Sequence, residues 1–217
     1  MESKEIKKIN KKHKKRKSWL IVIGSLIILL GIFDVSLMFI KPAVKQEQEE
    51  NALKDFYIKE EQKIDKIDKT TSEEVKEVSK PKVKYDYIAV LRIPKINLKK
   101  GLVSKNSKYN NIEYNVTIHE LSSRPDEING NVILMAHSGT AYISYFNNLK
   151  YLNINDHIYL DYNNKTYNYK ITNIYDVEKT GSLNIKRNNN KSTITLITCR
   201  DNSNKQIVII GEIEFVN

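Results

Sequence analysis

The chain has 217 residues, with 36 lysines and arginines against 26 aspartates and glutamates, so its formal net charge at pH 7 is +10. That length is enough for one or two domains, and only 7 glycines and 4 prolines exclude a collagenous or Gly/Pro-rich disordered chain. The single cysteine excludes an intramolecular disulfide framework and a zinc site built from several thiolates.

The positive charge is concentrated at the N-terminus. Residues 1–17 hold eight lysines and Arg16 against Glu2 and Glu5, a net charge of +7, which leaves only +3 for the other 200 residues. A basic cluster beside an apolar segment is accounted for by membrane topology and anionic lipid. The sequence therefore gives no support to a nucleic-acid partner.

The first predicted element is a transmembrane helix over residues 19–40. These 22 residues are mostly apolar, and as a helix they would span about 33 Å, enough for the hydrocarbon core of a bilayer. No clear cleavage site follows, so we expect an uncleaved signal anchor. Because cytoplasmic flanks are enriched in Lys and Arg, residues 1–18 are expected to form a cytoplasmic tail. The predicted location is the cell membrane, with one pass and an extracellular C-terminal part.

Residues 41–84 are predicted to form a charged stalk that is partly helical or disordered. Within it, Leu53, Phe56, Tyr57 and Ile64 recur at roughly helical spacing among charged residues, which favours a membrane-proximal helix. The last part of the stalk is rich in Lys, Glu, Ser and Thr, a composition typical of a solvated tether.

Residues 85–217 have the pattern of a β domain. Short runs rich in Val, Ile, Leu and Tyr are separated by Asn, Asp, Lys and Gly, and one short helix is expected within residues 142–152. Many short strands without alternating helices favour a mostly antiparallel barrel or sandwich, and about 130 residues are enough for one hydrophobic core. The predicted strands are 87–93, 131–137, 157–162, 165–177, 192–199 and 206–216.

The candidate catalytic residues are Cys199 and His137, each of which ends a predicted strand. A lone cysteine is more often a small buried hydrophobic residue than a nucleophile. Because a free thiol has a pKa of about 8.5 and is mostly protonated at neutral pH, a nucleophilic cysteine needs a nearby imidazole or cation. Two strand ends of one sheet can place these groups side by side.

The other titratable residues are weaker candidates. His13 lies in the basic tail, His119 in a polar loop, and His157 opens a strand. No pair of histidines or carboxylates falls at a metal-ligand spacing beyond chance, so neither a metal nor another cofactor is expected. Calcium activation stays open without support from the sequence, because the following four residues are acidic but show no ligand pattern: Glu113, Glu120, Asp126 and Glu127.

The residues around the cysteine resemble a known family. Thr195-Leu196-Ile197-Thr198-Cys199 matches the TLxTC motif around the active cysteine of sortases, the transpeptidases that attach proteins to the cell wall of Gram-positive bacteria. Residues 131–140 are similar to the family's strand that ends in the catalytic histidine, with Ala136 where a glycine is usual. The resemblance covers residues 87–217 in consistent order, together with the N-terminal anchor. Further similar positions are Leu91, Ile93, Pro94, Phe146, Leu149, Leu152 and Asp156.

The resemblance implies an eight-stranded β-barrel with one or two short helices, and a role for each catalytic candidate. Cys199 would attack the backbone carbonyl of an LPxTG-like C-terminal sorting signal and form a thioacyl enzyme. His137 would donate a proton to the leaving amine and later accept one from the incoming amine of a peptidoglycan precursor or a pilin lysine. The chemistry agrees, since a thiol is both a good nucleophile and a good leaving group.

The family's third residue is an arginine that binds substrate and helps stabilise the oxyanion, and it is not at its usual place. Five residues before Gly211, where the family carries it, this chain has Gln206, whose amide donates hydrogen bonds without a charge. Arg200 is the preferred replacement, with Lys205 and Gln206 as alternatives. On a regular strand Arg200 would point to the face opposite Cys199, but the residues that follow are predicted to form a loop.

Two other functions stay open from the sequence alone. One is a catalytically impaired sortase-like domain that acts as a membrane-tethered binding module, which the departure at Gln206 favours. The other is an L,D-transpeptidase-like wall enzyme, a class that also has its histidine before its cysteine. The compact motif of that class, with a second histidine shortly before a Gly-Cys pair, is absent here. The sortase class, the sorting motif and the acceptor are not determined by the residues.

Overall fold

The structure, a computed structural model, describes residues 19, 23–33, 44–63, 85–201 and 203–217. It divides into two compact units, Met1–Glu47 and Gln48–Asn217. Residues 23–33 form a helix, α1, and residues 44–63 form a second helix, α2. Among the residues described, neither helix has the length and apolar character needed to cross a membrane. Several predicted segments lie outside the described residues: the tail 1–18, residues 20–22 and 34–40 of the anchor, and residues 41–43 and 64–84 of the stalk.

Eight strands form one sheet in the order β2-β1-β5-β6-β8-β7-β4-β3. The end strands β2 and β3 lie next to each other, so the sheet curls into a nearly closed barrel, as predicted. All strand pairs are antiparallel except β4 with β7, which is parallel. The strands are β1 Tyr87–Ile93, β2 Leu98–Val103, β3 Thr117–Ile118, β4 Asn131–Met135, β5 His157–Tyr162, β6 Lys165–Glu178, β7 Thr193–Cys199 and β8 Lys205–Val216.

The structure corrects three details of the predicted elements. β2 and β3 were not predicted, because β2 carries two lysines and a glycine and β3 has only two residues. The strand expected to end at His137 ends at Met135. The helix expected within residues 142–152 is a 3₁₀ turn, Asn147–Tyr151, and a second 3₁₀ turn covers Pro94–Ile96.

β7 is buried on both of its faces, unlike a strand that has one face in water. Ile194 and Leu196 point into the interior of the barrel, where they belong to the main hydrophobic core. Ile197 points outward and packs in a separate cluster with Val208, against partly buried residues that include Leu183 from the β6–β7 connection. This second cluster explains why nearly every residue of the TITLITC sequence is buried, since the loop shields the outer face from water.

The parallel pairing of β4 with β7 fixes the register of their C-terminal ends. Met135 pairs with Ile197, and the Ala136 amide donates to the Ile197 carbonyl at 3.4 Å. The buried Thr198 hydroxyl then donates to the Ala136 carbonyl at 2.7 Å. A side-chain bond thus continues the connection beyond the last paired residues of the ladder.

The helix α2 packs onto the barrel within the unit Gln48–Asn217. Ala52 and Phe56 are buried in a cluster with residues of β1 and β2, among them Tyr87 and Val103. Glu60 accepts a hydrogen bond from the backbone amide of Asn164, in the two-residue turn between β5 and β6. The helix expected in the stalk is therefore present, and its apolar stripe covers one side of the β domain.

A second polar contact of α2 lies on β5. The Tyr57 hydroxyl donates to Asp161 Oδ2 at 2.8 Å, and Arg92 of β1 donates to both oxygens of the same carboxylate. Burial alone would raise the pKa of Asp161, but the bonds from Arg92, Thr166 and Tyr57 outweigh it, and the pKa lies below its ordinary value. The carboxylate is thus an anion at neutral pH, which keeps it an acceptor for the helix.

Replacing Phe56 with alanine is expected to lower the free energy of unfolding by about 3–5 kcal/mol, because a side chain that is 4% exposed would leave a cavity under α2. The matched control is Ile58→Ala on the same helix, where the side chain is 47% exposed and the expected loss is below about 1 kcal/mol. Urea denaturation of residues 44–217 measures both. Equal losses in the two variants would contradict the docking of α2.

Replacing Thr198 with valine keeps the shape of the side chain and removes the hydroxyl that bonds to Ala136. A loss of about 1–3 kcal/mol is expected, since the buried carbonyl loses a partner, with faster amide exchange at residues 137 and 199. Thr195→Val is the control, because the Thr195 hydroxyl bonds to Asn131 at the other end of β7. Faster exchange at residues 137 and 199 in the control as well would contradict a local role for Thr198.

Candidate active site

Cys199 is the last residue of β7, half-buried and a free thiol. Its partner on β8 is Gln206, and the partner of Gln206 on β6 is Val177. Directly paired residues have their side chains on the same face of a sheet. The three side chains therefore form a row across the outer face, next to the row that contains Ile197.

His137 lies just beyond the end of β4 and is brought to the same edge as Cys199. Continuing the register of Met135 with Ile197 by two residues places His137 beside Cys199. Neighbouring strands are about 4.8 Å apart, and residues two apart along a strand share a face. Continued past the ladder, the parallel register would bring the imidazole and the thiol to neighbouring strand ends on the outer side. The His137 carbonyl also accepts a hydrogen bond from the Phe146 amide at 3.0 Å, which fixes the chain after β4.

The imidazole of His137 contacts the carboxylate of Glu113, a pair that the sequence does not predict. Its Nε2 lies 3.2 Å from Glu113 Oε1. Glu113 belongs to the segment between β2 and β3, where its amide donates to Asn111 Oδ1 at 2.9 Å. In the sequence, Glu113 is only an acidic residue without a ligand pattern. No local pattern could have revealed the pair, because the two residues are 24 positions apart and belong to different segments.

The structure places Arg200 away from the face of Cys199. Its Nε donates to Asp176 Oδ1 at 2.8 Å, and its amide donates to the Lys205 carbonyl. Asp176 pairs with Ile207, whose side chain belongs to the interior face. The alternation of the strand thus continues to Arg200.

Lys205 and Gln206, the two alternatives to Arg200, differ in whether they lie on the face of Cys199. The Lys205 ammonium lies 3.8 Å from the carboxylate of Glu178 on β6. Gln206, by contrast, stands directly opposite Cys199 and on its face. Of the three residues considered for the role of the missing arginine, Gln206 is the one that the sheet brings beside the thiol.

A groove with a volume of about 480 Å³ lies on the outer face, where Ile197 and Gln206, two neighbours of Cys199 in the sheet, line it. Its floor contains Ile133, Met135 and Ile197, one wall is formed by residues 181–183 and Ile185, and Gln206 lines it too. The lining combines apolar residues with the polar side chains of Lys179, Ser182 and Gln206, and it opens to solvent, which suits an extended peptide. The wall comes from the β6–β7 connection, for which the sequence analysis predicts no functional role.

The three other histidines differ in their position relative to the candidate site. His119 lines the groove, where its Nδ1 accepts the Leu121 amide at 3.1 Å, so it lies closer to the candidate site than the sequence indicated. His157 is bonded to Asn168 on β6, and His13 lies outside the described residues. Within the described part of the chain, no group of three or more histidines, cysteines or carboxylates is arranged to hold a metal ion.

Comparison with known proteins agrees with this geometry. Residues 91–214, more than half of the chain, match the family model described as Sortase domain. No curated protein sequence matches the chain. Three solved structures illustrate the similarity in fold.

The sortase D5 transpeptidase of Clostridium perfringens is 21% identical, with a TM-score of 0.57, over 80% of this chain and 99% of that one. A lid mutant of sortase A from Corynebacterium diphtheriae is 22% identical, with a TM-score of 0.54, over 60% and 72%. Sortase C from Clostridium perfringens SM101 is 25% identical, with a TM-score of 0.50, over 60% and 71%. Because the family model covers most of the β-barrel and the fold agrees with these structures, the chain belongs to the sortase family of cysteine transpeptidases.

Proposed function

We propose that the protein is a membrane-anchored transpeptidase that cleaves an LPxTG-like C-terminal sorting signal and transfers the protein to an amine of the cell wall or of a pilin. The observation that carries the proposal is the parallel pairing of β4 with β7, which brings His137 and Cys199 to one edge beside the groove. The family and the groove support a peptide substrate. The basic tail and the apolar residues 19–40 support a single-pass anchor with the barrel outside the cell.

In the first half of the proposed reaction, the Cys199 thiolate attacks a backbone carbonyl carbon of the sorting signal. A C–S bond forms, and the tetrahedral intermediate then breaks its C–N bond. His137, which holds the proton, donates it to the leaving amine nitrogen. The signal's C-terminal piece leaves with a neutral amine, and the rest of the protein stays on Cys199 as a thioester.

In the second half, an acceptor amine attacks the thioester carbon. The new C–N bond forms, the C–S bond breaks, and His137 takes the proton that the amine nitrogen loses. Cys199 leaves as the thiolate, so the site returns to its starting state. Transfer to an amine requires that the thioester be kept from water long enough to meet its acceptor.

We propose that Gln206 occupies the place of the family's arginine, with Arg200 held by Asp176 on the opposite face. The side-chain amide of Gln206 would donate to the oxyanion or to a substrate carbonyl. Charge-assisted hydrogen bonds are about twice as strong as neutral ones, so the oxyanion would be stabilised less than by an arginine. A low turnover number is the expected consequence.

The same departure supports a second candidate, a sortase-like binding module with an impaired site. The groove would then hold a peptide without cleaving it, and Cys199 would not be acylated. Binding without adduct formation distinguishes this candidate from the transpeptidase.

The test is incubation of residues 44–217 with a panel of LPxTG-like peptides, followed by mass spectrometry for an adduct on Cys199. The expected result is an adduct that hydroxylamine or an amine releases, and its complete loss in Cys199→Ala and His137→Ala. Gln206→Ala is expected to lower turnover about 100-fold, the usual effect of removing one oxyanion donor. Arg200→Ala, the matched control on the next residue of the strand, is expected to change turnover less than about 3-fold.

Cleavage that survives Cys199→Ala would contradict the covalent mechanism. A large loss in Arg200→Ala with no loss in Gln206→Ala would transfer the role to Arg200. Peptide binding by the wild type without any adduct would favour the binding module.

A further inference from the structure

Besides its apolar packing and its hydrogen bonds to Asn164 and Asp161, the helix α2 forms an ion pair with the barrel. Glu49 of α2 forms an ion pair with Lys100 of β2, and the two side chains are only 17% and 6% exposed. Removing one partner of a buried ion pair leaves an uncompensated charge in a region of low dielectric constant, so such pairs hold their geometry strongly. The Lys100 ammonium also lies 3.8 Å from the centre of the Tyr145 ring.

Tyr145 connects this ion pair to the loops of the candidate site. Its hydroxyl lies 3.3 Å from Glu49 Oε1 and 3.4 Å from the Tyr114 carbonyl oxygen. Burial and the negative charge of Glu49 raise the pKa of Tyr145 well above its usual range, so the hydroxyl keeps its proton at neutral pH. A single hydroxyl proton thus faces two acceptors, one on α2 and one on the β2–β3 segment.

Of the two residues that bond to His137, Tyr145 is next to one and contacts the neighbour of the other. Tyr114 directly follows Glu113, whose carboxylate bonds to the His137 imidazole. Tyr145 directly precedes Phe146, whose amide bonds to the His137 carbonyl. Glu113, the neighbour of Tyr114, thus holds the side chain of His137, and Phe146, the neighbour of Tyr145, holds its backbone. Tyr145 is therefore one residue away from both contacts, through its bond to Tyr114 and through the chain.

We propose that Tyr145 and Glu49 are positioning residues for His137, so that docking of α2 sets the orientation of the imidazole. The proposal rests on the proposed function, in which His137 transfers the protons. The helix preceding the barrel is then a part of the catalytic unit and not only a spacer toward the membrane. Tyr145 and Glu49 take no direct part in the reaction. They act on His137 through Glu113 and through the residues that follow β4.

The other contacts of α2 provide a matched comparison. Tyr57 donates its hydroxyl to Asp161 on β5, which is again a tyrosine–carboxylate bond between α2 and the barrel. Its acceptor, Asp161, lies on β5. It belongs neither to the β2–β3 segment nor to the residues just after β4, the two segments that contact His137. Tyr57→Phe and Tyr145→Phe thus remove the same group from the same interface, and only the second removal is expected to reach the imidazole.

The experiment uses the full chain and compares the wild type with Tyr145→Phe, Tyr57→Phe, Glu49→Gln and Glu49→Ala. Steady-state kinetics with an LPxTG-like peptide give kcat and KM, and ¹⁵N NMR of the imidazole follows His137 with His137→Ala as the assignment control. Thermal unfolding of each variant is measured in parallel. The imidazole signal is a readout that does not depend on turnover.

Tyr145→Phe is expected to lower kcat about 10-fold with KM nearly unchanged, because a misplaced general acid reduces proton transfer and not binding. It is also expected to shift the His137 ring resonances. Tyr57→Phe is expected to lower the unfolding temperature by a similar amount without either effect. Glu49→Gln, which keeps an acceptor for the hydroxyl, is expected to retain more turnover than Glu49→Ala.

The proposal is overturned if Tyr145→Phe and Tyr57→Phe have equal effects on kcat and both leave the His137 resonances unchanged. A wild-type chain that gives no adduct with any peptide contradicts the proposed function instead. In that case the His137 resonances of the two phenylalanine variants still decide whether Tyr145 positions the imidazole.

Discussion

The candidate site depends on one interaction, the parallel pairing of β4 with β7 in an otherwise antiparallel barrel. Antiparallel neighbours would put the C-terminal end of one strand beside the N-terminal end of the other, and His137 and Cys199 would lie at opposite edges. The parallel register puts both ends at one edge. Thr198 extends that register past the last ladder pair through its bond to Ala136. The second threonine of the TLxTC motif, Thr198, thus connects the ends of β7 and β4 next to the cysteine.

The burial of β7 on both faces links the stability of the fold to the binding of a peptide. Its inner face belongs to the main core, and its outer face is an apolar floor shared with β4 and β8. Leu183 and Ile185 of the β6–β7 connection pack on that floor and also line the groove. The apolar surface that a peptide would contact is therefore part of a packed cluster, which preorganises the groove before any ligand binds.

Most charged side chains near the site are paired or lie away from Cys199, while Lys179 lines the groove on the outer face. Arg200 is paired with Asp176 on the other face, and Lys205 lies near Glu178. Gln206 remains as the polar group opposite the thiol. Among the described residues, the charged group that contacts the His137 imidazole is Glu113. The next residue, Tyr114, contacts Tyr145, which in turn contacts Glu49 of α2. The site is thus supported from the helix side as well as from the sheet.

The sequence by itself determined the β class of the domain, six of the strands to within two residues at their ends, the helix in the stalk and the family resemblance around Cys199 and His137. These features follow from local patterns, because hydrophobic alternation and short motifs involve residues that are close together in the sequence. Only the tertiary structure decided that β4 and β7 run parallel, that Glu113 meets His137, that Arg200 points away from Cys199 and that α2 packs on the barrel. Each of these joins residues that are distant in sequence or fixes the face of a side chain at a strand end. Such contacts are set by the register of hydrogen bonds between strands, for which no single segment carries a signal.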